Sequence, residues 1–267
     1  MSKSIPVGVI GAGVMGEALI AALISFGVTP ELITISEKRK DRADELVNRY
    51  GIKVATLEAN VANVDVLLLV VKPQDMAAVL ADIKASINPK AVVITFAAGK
   101  KIAFIADALG TGNPIVRVMP NTATMVSAGM AAISLGNGVS AEQSKFVSGF
   151  LSATGKVVEV PEDLQDAVTA TSGSGPAYLF RFVEAMIDGA EQLGLSRDVA
   201  TILTVQTMVG AAKLLEESGK SATTLRENVT SPNGTTAAAL ASFEADQIAT
   251  VVATAMKAAR DRSQELA

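Results

Sequence analysis

The 267-residue chain contains no cysteine, no histidine and no tryptophan, and aromatic residues make up only 4% of it. Without cysteine it has no disulfide, no thiolate nucleophile and no cysteine-ligated metal, a composition compatible with a reducing cytoplasm. Without histidine, any proton transfer must use a carboxyl, a lysine, a tyrosine, water or the acidity of the substrate itself. No metal is expected. The net charge of −4 and a pI near 5.1 leave no basic footprint, so nucleic acid is not an expected partner. Mean hydropathy is +0.39, yet the apolar run from Val66 to Val71, between Asp65 and Lys72, is far shorter than the roughly 20 residues a membrane-spanning helix needs. No membrane association is expected. The stretch from Ile5 is soon broken by glycines and does not read as a signal peptide.

What the chain has is aliphatic. Hydrophobic residues make up 49% of it, and with so few rings the apolar mass is alanine, valine, leucine and isoleucine, a mixture suited to helices and buried parallel strands. The length permits a sizeable core and divides most naturally into two domains.

Ile5 to Ile10 is an apolar run ending in Gly11-Ala12-Gly13-Val14-Met15-Gly16, with a helical pattern from Glu17 to Phe26 after it. At a strand-to-helix turn, this spacing lets Gly11 make the tight turn, Gly13 admit a pyrophosphate close to the backbone, and Gly16 bring the helix against the strand. A second strand, Leu32 to Ser36, follows as a dinucleotide-binding unit requires. The end of that strand selects the cofactor, because an acid holds the ribose 2′-OH of NAD and a hydroxyl or cation holds the 2′-phosphate of NADP. Both kinds are present: Ser36 and Glu37, then Lys38, Arg39 and Lys40. Ser36 and the cations favour NADPH, while Glu37 keeps NADH open. Lys38 to Arg42 also reads as the solvated first turn of a helix running to Tyr50.

Asp65 to Val71 and Ala91 to Thr95 are apolar runs typical of central parallel strands. They stop at Lys72-Pro73 and at Ala97-Ala98-Gly99, and both stops should lie at the carboxyl edge of the sheet beside the glycine loop. The small residues at 97 to 99 leave room for a nicotinamide ribose, with Lys72 in reach of it. Pro114 to Val118 is a further strand, ending in Met119-Pro120-Asn121-Thr122. Gly129 to Leu135 and Gly155 to Val160 are the last strands, with a helix from Ala141 to Ala153 between them. The expected class is α/β, a Rossmann-type, doubly wound, mostly parallel sheet over residues 1–160.

From residue 161 to 267 the pattern is all-α, with helices expected over 163–172, 176–194, 197–217, 222–228, 235–243 and 245–265. From Ala177 to Leu193 and from Val199 to Leu215 apolar residues occur nearly all the way round. A bundle of this size cannot bury such helices on every side, so a second subunit is expected to cover them. The other stretch of interest is Asn228 to Thr236, where hydroxyls, Pro232 and Gly234 run into an Ala/Leu-rich segment. It reads either as a plain capped loop or as an anion seat, in which free helix-start amides receive a carboxylate.

Taken together, Gly11 to Gly16, Val71-Lys72-Pro73, Ala97-Ala98-Gly99, Met119 to Thr122, Ser172-Gly173-Ser174-Gly175-Pro176-Ala177-Tyr178 and the Ser231 to Thr236 loop resemble pyrroline-5-carboxylate reductases, in the right order over essentially the whole chain. The resemblance implies reduction of 1-pyrroline-5-carboxylate to L-proline by NAD(P)H, the last step of proline biosynthesis. It also implies a helical domain that joins two subunits, with dimers often assembling into a decamer. By that resemblance Thr236 meets the ring nitrogen, Ser231, Gly234 and Thr235 receive the carboxylate, Asn228 lies near the nicotinamide, and Glu162 lines the proline site. Two positions depart from the family pattern. Asn233 stands where glycine is common, and Glu58 falls near an asparagine that touches the adenosine ribose, where an acid opposes a 2′-phosphate. The main rival is a β-hydroxyacid dehydrogenase, which needs a lysine on a second-domain helix. Lys213 is the nearest candidate, but it lacks that family's surrounding glycine/asparagine pattern.

Overall fold

A computed structural model describes residues 4–266. In chain order its elements are β1 (Val7–Ile10), α1 (Val14–Phe26), β2 (Ile33–Ser36), α2 (Lys40–Tyr50), β3 (Lys53–Val54), α3 (Leu57–Ala62), β4 (Val66–Leu69), α4 (Met76–Ile83), β5 (Val92–Thr95), α5 (Ile102–Leu109), β6 (Ile115–Met119), β7 (Gly129–Leu135), α6 (Ala141–Ser152) and β8 (Gly155–Glu159). The helical part follows: α7 (Gln165–Val168), α8 (Gly175–Gln192), α9 (Arg197–Glu217), α10 (Ala222–Asn228), α11 (Thr235–Ala245) and α12 (Ile248–Glu265).

The strands form one sheet in the order β3-β2-β1-β4-β5-β6-β7-β8. All pairings are parallel except β6 with β7. Every residue of β1, β4 and β5 is buried, because helices cover both faces and unbroken aliphatic runs are what such strands need. Side chains alternate between the two faces. Val66 and Leu68 pack with Leu19, Ile20 and Leu23 of α1 and with Phe146 and Phe150 of α6. Leu67 and Leu69 pack on the other face with Met76 and Leu80 of α4 and Ile105 of α5. Three of the scarce aromatics meet here, with the Phe26 and Phe146 rings edge-to-face at 5.7 Å and Phe150 tilted against Phe146.

The described residues fall into two compact units, one up to Ser174 together with the residues from Ala259 on, the other Gly175–Ala258. The sheet-bearing unit thus extends past the change of composition near residue 160. It includes α7 and a π-helical segment, Thr169–Gly173, and the end of α12, where the Ser263 hydroxyl donates to Asp166 at 2.7 Å.

Within Gly175–Ala258 only Ile187, Ala200 and Thr204 are buried. Phe180 is 64% and Ile202 69% exposed. α9 is by length and composition apolar enough to cross a membrane, and little of it is buried within the chain. Its aliphatic residues are interleaved with threonine, glutamine and glycine, so no unbroken run announces it in the sequence.

Candidate active site

β1 delivers the chain into the glycine turn. Gly11 sits at φ 88°, and a Cβ there would lie 2.6 Å from the Val70 carbonyl oxygen, so only glycine makes this turn beside β4. Gly16 lets α1 approach, since a Cβ would come within 2.3 Å of the Gly11 carbonyl oxygen. Gly13 is different: an added Cβ would meet nothing within 4 Å. That side of the turn is open, and Gly13 caps α1 without a side-chain partner for its first amides. A cavity of about 670 Å³ lies over the turn, bounded by Gly11, Gly13, Ser36, Glu37, Val71 and Lys72 among others. Free helix-start amides beside an open glycine fit the pyrophosphate of a dinucleotide. Of the remaining loop residues, Ala12 is buried, Val14 is exposed and Met15 turns to a neighbouring groove.

At the end of β2 the structure departs from the sequence reading. Ser36 borders the cavity, but its hydroxyl donates to the Ala55 carbonyl at 3.1 Å and accepts from the Asn60 amide at 3.0 Å. Its proton therefore points into the protein and not at a phosphate. Glu37 instead faces the glycine turn, one carboxylate oxygen accepting from the Ala12 N–H at 2.9 Å and the other from the Arg39 N–H at 3.1 Å. Nor is Lys38 to Arg42 uniformly solvated. The Arg42 side chain is 11% exposed, ion-paired to Glu17 and to Glu45 at 2.7 Å, and its Nε donates to the Ala12 carbonyl at 3.0 Å. Burial acts to raise the Glu17 pKa, but hydrogen bonds from Arg42, Tyr50 and Arg49 outweigh it and hold the carboxyl below its ordinary value.

A second, shallower groove of about 320 Å³ shares Val70, Val71 and Lys72 with the first cavity and continues past Met15, Phe96, Met119 to Thr122, and Gly173. Phe96 is an addition the sequence did not single out, whereas Gly173 belongs to the Ser172 to Tyr178 motif, which was given no role at the site. Pro73 opens a 3-10 turn behind Lys72 and borders neither cavity. Ala97, Ala98 and Gly99 also border neither. The room expected at Gly99 is filled, since a Cβ there would be 2.9 Å from both Leu266 Cβ and the Ser263 carbonyl oxygen. Glu162 holds the start of α5, accepting from the Ile102 N–H at 2.7 Å, and pairs with the buried Arg117 at 3.3 Å. Its carboxylate is engaged within the sheet-bearing unit.

In the helical unit, Asn228 is the exposed last residue of α10. The chain then turns through Ser231, whose carbonyl accepts from the Gly234 N–H at 3.0 Å, and α11 begins at Thr235 with Gly234 as cap and no side-chain capping bond. Asn233 has φ 59°, a left-handed value that glycine adopts most readily and asparagine better than most other residues. Ser231 and Thr235 are exposed and Thr236 half-buried. The start of α11 therefore has no side-chain cap, and the Ser231, Thr235 and Thr236 hydroxyls lie in or next to its first turn.

An open glycine turn on a doubly wound sheet and the cavity above it define a dinucleotide-dependent oxidoreductase. Residues 6–99 match the family model described as NADP oxidoreductase, coenzyme F420-dependent, and residues 162–266 match the one described as pyrroline-5-carboxylate reductase dimerisation. The chain is 42% identical to the pyrroline-5-carboxylate reductase of Corynebacterium melassecola, over 97% of this chain and 98% of that one. A solved pyrroline-5-carboxylate reductase from Coxiella burnetii superimposes with a TM-score of 0.91 at 34% identity, covering 99% of each chain. One from Plasmodium falciparum, solved with NADP bound, gives 0.89 at 28% identity over 100% of this chain and 99% of that one. The chain belongs to the pyrroline-5-carboxylate reductase family.

Proposed function

We propose that this chain reduces the cyclic imine 1-pyrroline-5-carboxylate to L-proline, with NADPH as the preferred donor, as a homodimer in the cytoplasm. The observation that supports the reading is the start of α11, left without a side-chain cap as suits a carboxylate, in a chain whose other half offers an open dinucleotide turn. NADPH, when bound, supplies the hydride. The turn at Gly11 to Gly16 cradles its pyrophosphate, and Val71 and Lys72 border both grooves. Lys38 and Arg39, both exposed at the end of β2, take the place first given to Ser36 as partners of a 2′-phosphate.

On the substrate side, the Ser231, Gly234 and Thr235 backbone seats the carboxylate, and the Thr236 hydroxyl holds the ring nitrogen and relays a proton from water. A pyrroline imine is basic enough to be protonated before reduction, so the chain needs no histidine acid. Positioning is then the main catalytic contribution. Asn228 stays in this proposal as a group near the nicotinamide. Glu162 is better described as the anchor of α5, given its partners. The exposed faces of α8 and α9 are those a second copy covers, within the region that matches the dimerisation model. A ring of five such dimers is the proposed larger assembly.

Thr236→Ala tests the central assignment. It should lower kcat/KM for the imine about 10- to 1000-fold, the range for losing one hydrogen-bonding or proton-transfer group, with NADPH binding unchanged. Unaltered kinetics in a folded variant would remove Thr236 from the chemistry.

A further inference from the structure

Both polar groups of Ala12, in the middle of the glycine turn, are held by side chains that come from beyond β2. Glu37 accepts from its N–H at 2.9 Å, and Arg42 Nε donates to its carbonyl at 3.0 Å. Arg42 is itself fixed. Its other two nitrogens are taken by Glu17 of α1 and by Glu45 at 2.7 Å, and its side chain is 11% exposed. Glu17 also accepts from the Tyr50 hydroxyl at 3.0 Å and from Arg49. The fork of the guanidinium is thus used at every nitrogen, something a lysine at this position could not reproduce.

The Ala12 carbonyl and the Gly13 N–H belong to one planar trans peptide and point in opposite directions. Fixing the carbonyl toward α2 therefore aims the Gly13 N–H away from it. Gly13 is where the turn is open, with nothing within 4 Å of an added Cβ, and it borders the cavity over the loop. A glycine on one side of this peptide makes other orientations accessible when nothing holds it.

We propose that Arg42 is a positioning residue for dinucleotide binding, which locks the Ala12–Gly13 peptide so that the Gly13 N–H faces the ligand. This rests on the dinucleotide reading of the cavity but not on the identity of the imine. A loop with the wrong peptide orientation is not competent to bind, so apparent affinity falls by the competent fraction while the chemical step is untouched.

Direct titration of purified protein with NADPH, by quenching of the nucleotide's fluorescence and without imine, reads this effect. Arg42→Met should weaken binding about 5- to 50-fold, as expected on losing a charge-assisted hydrogen bond that orients the loop, with kcat at saturating NADPH within about twofold of wild type. Arg49→Met is the control. It removes a partner of the same Glu17 without touching Ala12, so it should cost thermal stability yet leave NADPH affinity unchanged. Arg42→Lys should keep the melting temperature close to wild type and still bind weakly. Wild-type affinity in Arg42→Met, or an equal loss in Arg49→Met, would overturn the positioning role alone. Wild-type protein binding neither NADPH nor NADH would overturn it together with the dinucleotide reading.

Discussion

Single side chains decide most of what the site can do, and Asn233 shows how. It holds φ 59° in the turn before α11, a conformation that costs an ordinary L-residue about 1–2 kcal/mol and asparagine less. Asn233→Gly should therefore leave the melting temperature and kcat/KM near wild type, whereas Asn233→Val should destabilise by about 1–2 kcal/mol and raise KM for the imine; thermal melts and initial rates check both. The strain is legible in the sequence, because asparagine stands where glycine is common. Ser36 was not legible in the same way. Its place at the end of β2 is right, but the direction of its hydroxyl depends on Ala55 and Asn60, which reach it only through the fold. Gly99 misled similarly. A glycine in sequence reads as space, yet Ser263 and Leu266, more than 160 positions later in the chain, fill it. Arg42 was hidden for the opposite reason, since an arginine in a first helical turn reads as solvated until Glu17 is seen beside it.

Elements were far more readable than side chains. Seven of the strands were expected near where they stand, because aliphatic runs bounded by glycine and proline leave little alternative. The missing one, β3, is a pair of exposed residues at the sheet edge, too short to carry a pattern. α9 and α10 begin and end where expected, each opened by a serine whose hydroxyl accepts from an amide three residues on. The break between α11 and α12 falls at Asp246 and Gln247, with Gln247 at φ 54°, and no glycine or proline marks it. The contact of α1 with the β1 turn is the element-scale feature most exposed to test. A Gly16→Ala methyl would sit 2.3 Å from a backbone oxygen that cannot rotate aside, so the helix must shift. That should destabilise the protein by about 1–3 kcal/mol, the usual penalty of overpacking, and weaken NADPH binding as the loop moves with α1; calorimetry and the fluorescence titration would show both.

At the scale of the molecule, the two units have opposite surface economies. The sheet-bearing unit buries its aliphatic strands under helices on both faces, while the helical unit leaves Phe180, Ile202 and their neighbours exposed in one chain. Apolar area of this extent is normally covered by a partner, and it lies within the region that matches the dimerisation model. Light scattering behind size-exclusion chromatography should give a mass well above the 27.4 kDa of one chain, and Ile202→Asp should shift it toward that value. The change from strands to helices was plain in the composition, whereas the return of α12 to the sheet-bearing unit was not, because it depends on Ser263 and Asp166 meeting across the chain. The account as a whole stands on the reaction. Purified protein mixed with NADPH and 1-pyrroline-5-carboxylate should consume NADPH absorbance and form an equal amount of proline. No turnover of the imine with either NADPH or NADH, or oxidation of a β-hydroxyacid in its place, would contradict it.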